Sequence, residues 1–103
     1  DMFLMPSLYE PCGLNQIYSL RYGTVPIVRA TGGLDDTIQE DTGFKFSTYS
    51  VGALYDTLRR ALGAWRNPAN WKRRMLRGMA MDYSWDASAR QYSALYQRLL
   101  GRA

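Results

Sequence analysis

The tightest constraint on the fold lies in residues 2–28. Two short apolar runs, Met2-Phe3-Leu4-Met5 and Val25-Pro26-Ile27-Val28, flank one helix-length segment. The first run shows no polar alternation, which suits a parallel strand covered on both faces. Between the runs, Leu14, Ile17, Tyr18 and Leu20 fall at helical spacing over Gly13–Tyr22, and Gly23 supplies a C-terminal stop. A strand, a helix and a strand in so short a stretch make a βαβ unit with parallel strands. Pro26 must then occupy the start of its strand or a locally unpaired position.

That unit says where to look for a site. In open α/β sheets ligands gather at the carboxyl ends of strands, facing helix N-termini. Here that place is Pro6–Asn15, PSLYEPCGLN. Glu10 precedes Pro11, which holds it extended. It can bind sugar hydroxyls or act as an acid or base, or it can merely cap the following helix. Cys12 has no histidine to activate it, so the residues alone favour a small packing role over a nucleophile. Gly13, Leu14, Asn15 and Gln16 open the helix and present its unpaired N–H groups, an anion site or an ordinary first turn. Thr31-Gly32-Gly33-Leu34 follows the second strand; its double glycine either cradles a ligand or makes a tight turn. It lacks the spacing of a P-loop or dinucleotide fingerprint.

Further along, Asp35–Ile38 starts a short helical turn, Thr42-Gly43 turns, and Phe44–Phe46 makes a third strand with alternating faces. The period then becomes helical. Ser50 caps a helix over Val51–Trp65, with Leu54, Tyr55, Leu58, Ala61, Leu62 and Trp65 facing inward. Asn67 and Pro68 open a helix to Met81, with Trp71, Met75, Leu76 and Met79 inward. Ser84 caps a third, Trp85–Leu100, with Trp85, Ala89, Tyr92, Leu95, Tyr96 and Leu99 inward.

Composition excludes several classes. The chain of 103 residues has no histidine and one cysteine. Histidine-based catalysis, the usual zinc sites and an internal disulfide are therefore excluded within it. No apolar run approaches the ~18 residues of a membrane span. Residues 1–50 carry three basic and six acidic side chains, whereas 51–103 carry ten basic and three acidic. The basic residues Arg59, Arg60, Arg66, Lys72, Arg73, Arg74 and Arg77 mostly lie opposite the apolar stripes. They read as a solvated face, not a nucleic-acid patch, because no recognition motif accompanies them. The first strand begins at residue 2 and the initial residue is Asp, so the expectation is a chain that starts within a domain. Three short strands should leave an open sheet edge and uncovered apolar surface, favouring association or marginal stability.

PSLYEPCGLNQIYSLRYGTVPIVRATGGLDDTI resembles the nucleotide-sugar-binding C-terminal domain of bacterial glycogen synthases and plant starch synthases. AMDYSWDASARQYSALYQRLL resembles their closing segment. The joint pattern EPCGLxQ, RYGTxPIV, TGGLxDT is more specific than any of its parts. The resemblance implies an α/β chain within a GT-B architecture, two Rossmann-like domains with the active site between them. Residues 1–103 would be the last portion of the second domain, with 1–50 the βαβ part and 51–103 the helical part. The implied reaction is retaining transfer of glucose from ADP-glucose, or UDP-glucose in some relatives, to the non-reducing end of an α-1,4-glucan, in the cytoplasm or, in a plant, the plastid. It implies no cofactor and no metal ligand set.

By position, Glu10 is similar to the active-site glutamate that holds the donor glucose hydroxyls. Cys12 is similar to its neighbouring cysteine, with the N–H groups of Cys12 and Gly13 meeting the sugar. Leu14, Asn15 and Gln16 are similar to the turn that meets diphosphate and ribose. Many related enzymes carry a second glutamate eight positions on, which here is Tyr18; the synthases commonly depart there too. The family's phosphate-binding Arg and Lys, and the KxGGL loop of its N-terminal domain, have no counterpart in this chain. The isolated chain is therefore expected to be inactive. A non-catalytic module that binds sugar, nucleotide or a partner through the same loop is the alternative.

Overall fold

The computed structural model describes residues 1–101. The elements run β1 (Met2–Met5), α1 (Asn15–Arg21), β2 (Val25–Arg29), α2 (Gly32–Thr37), β3 (Phe44–Phe46), α3 (Val51–Trp65), α4 (Pro68–Met79) and α5 (Trp85–Leu99). The three strands form one parallel sheet in the order β1-β2-β3. The predicted βαβ unit is present, and Gly23 ends α1 with φ +77°. Pro26 lies in the central strand, opposite Phe3 of β1, but the β3 ladder begins only at Ile27. Pro26 therefore sits where no β3 residue stands to receive the donor it lacks.

Two clusters make the core, one on each face of β2. Val25, Ile27 and Phe44 pack with Ala61 of α3 and Trp71 of α4, while Val28 packs with Leu20, Leu34 and Ile38. Phe44 and Trp71 stack with centroids 6.3 Å apart. The guanidinium of Arg74 lies 4.3 Å over the other part of that stack, the Phe44 ring, and donates to the carbonyls of Glu40 and Gly43. Burial pushes its pKa down, and Glu40 and Asp41 act against that shift. Part of the basic half is thus structural, holding the α2–β3 turn to α4.

Three caps stand where the sequence places them. Ser50, Asn67 and Ser84 accept from the N–H groups of Ala53, Asn70 and Ala87 at 3.1, 3.2 and 3.1 Å.

Side-chain orientation departs from expectation in four places. Strand β1 is an edge strand with Phe3 and Leu4 exposed, not a strand covered on both faces. In α3 the buried line is Thr57–Ala61, and Tyr55, Leu62 and Trp65 are exposed. Thr57 reads as polar, but its hydroxyl donates to the Ala53 carbonyl at 2.7 Å, so the side chain can enter the core. In α4, Leu76 and Met79 are likewise exposed, and Gly78 instead meets Leu20 of α1, where a Cβ would approach Leu20 Cδ2 to 2.9 Å. In α5 no residue is buried; Trp85 is 88% and Leu99 74% exposed, and Ala89, Tyr92, Leu95 and Tyr96 are exposed as well. An amphipathic stripe states that a helix has an apolar face, not which surface that face meets. The exposed edge and helix faces agree with the expected uncovered apolar surface.

Between α4 and α5, the Tyr83 hydroxyl donates to the Thr37 carbonyl at the end of α2. Burial pushes the Tyr83 phenol above its ordinary value of 10.0. The folded state thus favours the protonated phenol, and the unfolded chain ionises first as pH rises. The contribution is complete below the ordinary value and is lost as pH climbs through the folded one. The stability gap between wild type and Tyr83→Phe, read from urea midpoints, should shrink from about pH 10 upward. A gap that stays constant through that range would contradict this contact.

Candidate active-site loop

The loop after β1 lies directly on the start of α2. The Gly33 N–H donates to the Glu10 carbonyl at 2.9 Å. A Cβ on Gly32 would stand 2.1 Å from the Glu10 carbonyl oxygen, and one on Gly33 would stand 2.1 Å from that of Cys12. Van der Waals contact needs well over 3 Å, so only glycine allows this approach. The double glycine is therefore the bed of the protein's own loop.

The other side of the loop is held by Gln16. Its side chain is fully buried. The amide nitrogen donates to the carbonyls of Cys12 at 3.0 Å and Gly13 at 3.1 Å, and to the Thr37 hydroxyl at 3.2 Å. Gly13 is confined twice: its φ is +68°, and a Cβ there would lie 2.7 Å from Gln16 Oε1. The Gln16 amide thus faces the loop's interior, and the residue serves as a buried brace for the loop. At the loop's start, Arg29 Nη1 donates to the Leu8 carbonyl at 2.6 Å, and the guanidinium lies 5.5 Å over the Tyr49 ring.

Of the predicted set, Gln16 is buried and the others reach the surface. Glu10 is half-buried, and Cys12, Leu14 and Asn15 are exposed. Leu14 is the N-cap of α1, and no side chain caps that helix. Glu10 is therefore not the capping carboxylate that the sequence left open. None of the ion pairs among the described residues uses it. Lys45 is paired with Asp35 of α2 at 2.8 Å. An open cavity of about 350 Å³ lies beside the carboxyl ends of β1 and β3, lined by Pro6, Phe46, Tyr49, Ser50, Val51 and Leu54. A larger hollow of about 570 Å³ follows the open flank of α5 and is remote in sequence from the loop.

Sequence reading did not find Arg29 or Thr37. Arg29 had a signal, as the one charge adjoining an apolar central strand. Thr37 had only its place as the last fixed residue of TGGLxDT, which does not show that its hydroxyl meets residue 16.

The family model of the group 1 glycosyl transferases matches residues 1–76. The chain belongs to that family. This glycosyl transferase chain is 57% identical to the glycogen synthase of Anaeromyxobacter sp. (strain Fw109-5) over 96% of its length, covering 22% of that relative. It is also 57% identical to the glycogen synthase of Koribacter versatilis (strain Ellin345), over 95% of its length and 22% of the relative's. Among solved structures, it is similar to the catalytic domain of starch synthase IV from Arabidopsis thaliana bound to ADP and acarbose. That likeness has a TM-score of 0.82 and 38% identity, covering 99% of this chain and 23% of the other. A sucrose-phosphate synthase from Thermosynechococcus elongatus is similar at a TM-score of 0.66 and 34% identity. The glycosyl transferase chain thus spans a quarter or less of the length of these relatives. Its parallel sheet and helices are part of a GT-B fold.

Proposed function

We propose that this chain is the C-terminal portion of the nucleotide-sugar-binding domain of a glycogen or starch synthase, working in the cytoplasm or, in a plant, the plastid. The reaction is transfer of glucose from ADP-glucose, or UDP-glucose, to the non-reducing end of an α-1,4-glucan with retention. The observation that carries this reading is the joint match: synthases share more than half of the residues along nearly the whole chain, and the loop with Glu10 is rigidly seated at a strand's carboxyl end. The starch synthase IV catalytic domain is bound to ADP and acarbose, which supports a nucleotide as a ligand here.

In this reading Glu10 orients the donor glucose through its hydroxyls, and the N–H groups of Cys12 and Gly13 meet the sugar. The turn of Leu14, Asn15 and Gln16 receives diphosphate and ribose. The uncapped first turn of α1 favours the charge of the departing diphosphate. Glu10 acts by position and charge and forms no covalent bond; departure and attack on one face preserve the anomeric configuration. Arg29 and Lys45 are engaged within the protein, so the cations a diphosphate needs come from elsewhere in the complete enzyme, as does the acceptor site.

Glucose incorporation tests this. The full-length protein, given ADP-glucose or UDP-glucose and maltooligosaccharide, should extend the oligosaccharide by α-linked glucose. The 103-residue chain alone should give none above background. Extension by the isolated chain would remove the divided-site account. Binding of sugar or nucleotide without any extension by the full-length protein would favour the non-catalytic module.

A further inference from the structure

The Glu10–Gly13 loop is closed by a ring of hydrogen bonds that passes through side chains outside the ligand-facing set. The Gly33 N–H donates to the Glu10 carbonyl at 2.9 Å. The Thr37 hydroxyl donates to the Gly33 carbonyl at 2.6 Å. The Gln16 amide donates to the Thr37 oxygen and returns to the Cys12 carbonyl at 3.0 Å. Thr37 is thus acceptor for one loop anchor and donor to the other, although residues 37 and 16 lie on different helices. The Gln16 amide faces three acceptors with two hydrogens. Its Oε1 is buried without a donor. Such a side chain has little alternative arrangement once the Thr37 oxygen fixes its direction.

We propose that Thr37 is a positioning residue for the transfer reaction, acting through the Gln16 side chain to fix the direction of the Cys12 and Gly13 peptides. The proposal rests on the function proposed above for that loop. Those peptides carry the N–H groups that meet the sugar, and the ring links their placement to the Glu10 backbone. Loss of the hydroxyl leaves the Gln16 amide on the Cys12 and Gly13 carbonyls but cuts its tie to the Gly33 carbonyl and α2, so the amide and the two peptides can shift together. The fold need not change, because valine fills nearly the same volume in α2.

The test uses the full-length protein and two readouts. For Thr37→Val, kcat should fall roughly tenfold or more with the KM for the glucan unchanged, since a small misplacement of positioned groups acts on the chemical step. Thr37→Ser, which keeps the hydroxyl, should stay within about twofold of wild type. Independently of activity, amide hydrogen exchange at Gly33, whose N–H donates to the Glu10 carbonyl, should speed up several-fold in Thr37→Val and not in Thr37→Ser, on the order expected for a released loop. An unchanged exchange rate in Thr37→Val overturns the brace whatever the activity. Faster exchange with unchanged kcat overturns the positioning role. Faster exchange in a protein whose wild type transfers no glucose overturns the proposed function and leaves the brace standing.

Discussion

Gly33→Ala is expected to lower glucose transfer by the full-length protein by roughly a hundredfold or more, the scale seen when reacting groups move by about 1 Å. The added methyl would stand 2.1 Å from the Cys12 carbonyl oxygen and 2.6 Å from Cys12 Cα. Both are main-chain atoms, so no side chain can swing aside to make room. Either the loop lifts from α2 or α2 recedes, and both break the Gly33-to-Glu10 hydrogen bond. Gly63→Ala is the matched control. Gly63 lies inside α3 with nothing within 4 Å of its added Cβ. Alanine there should stabilise by up to about 1 kcal/mol through helix propensity and leave transfer unchanged. Steady-state kinetics with urea unfolding of both variants checks the pair. Equal activity in Gly33→Ala and wild type would show that the loop is not held as described.

Glu10→Gln is expected to cost about 10²–10³ in kcat, the scale for losing one well-placed polar group at a reacting centre. Its effect on stability should be small. The carboxylate caps no helix and joins none of the ion pairs among the described residues. A large kinetic loss with an unchanged urea midpoint separates Glu10 from Gly33, whose substitution moves the loop itself. If Glu10→Gln instead destabilises the fold and its activity follows folded fraction, the carboxylate is structural.

The contrast between these residues shows what the sequence could reveal. Short local patterns were legible. Ser50, Asn67 and Ser84 act as caps because capping depends on residues three positions apart. The βαβ unit followed from two apolar runs and one helical period, and Glu10 stood out as the acid at a strand's end. Contacts between distant residues were not legible. Gly32 and Gly33 suggested a ligand cradle or a turn, whereas their neighbour is a loop about twenty residues earlier. Gln16 read as part of an open first turn, because helical spacing gives a face but not its surroundings, whereas the residue is buried. Thr57 read as polar because its internal hydrogen bond is invisible in a hydropathy pattern. The apolar stripe of α5 was correctly found and wrongly assigned an inward partner, since no residue of that helix is buried.

Those differences converge on one arrangement, a loop whose backbone is fixed from both sides while Glu10 faces outward. The most direct test is incorporation of labelled glucose from ADP-glucose or UDP-glucose into glycogen by the full-length protein, with wild type and Glu10→Gln compared at equal folded concentration. The expected result is α-linked incorporation by wild type and a loss of about a hundredfold or more in the variant, with its urea midpoint unchanged. Equal incorporation by the two proteins, or none by wild type from either donor, would contradict the account.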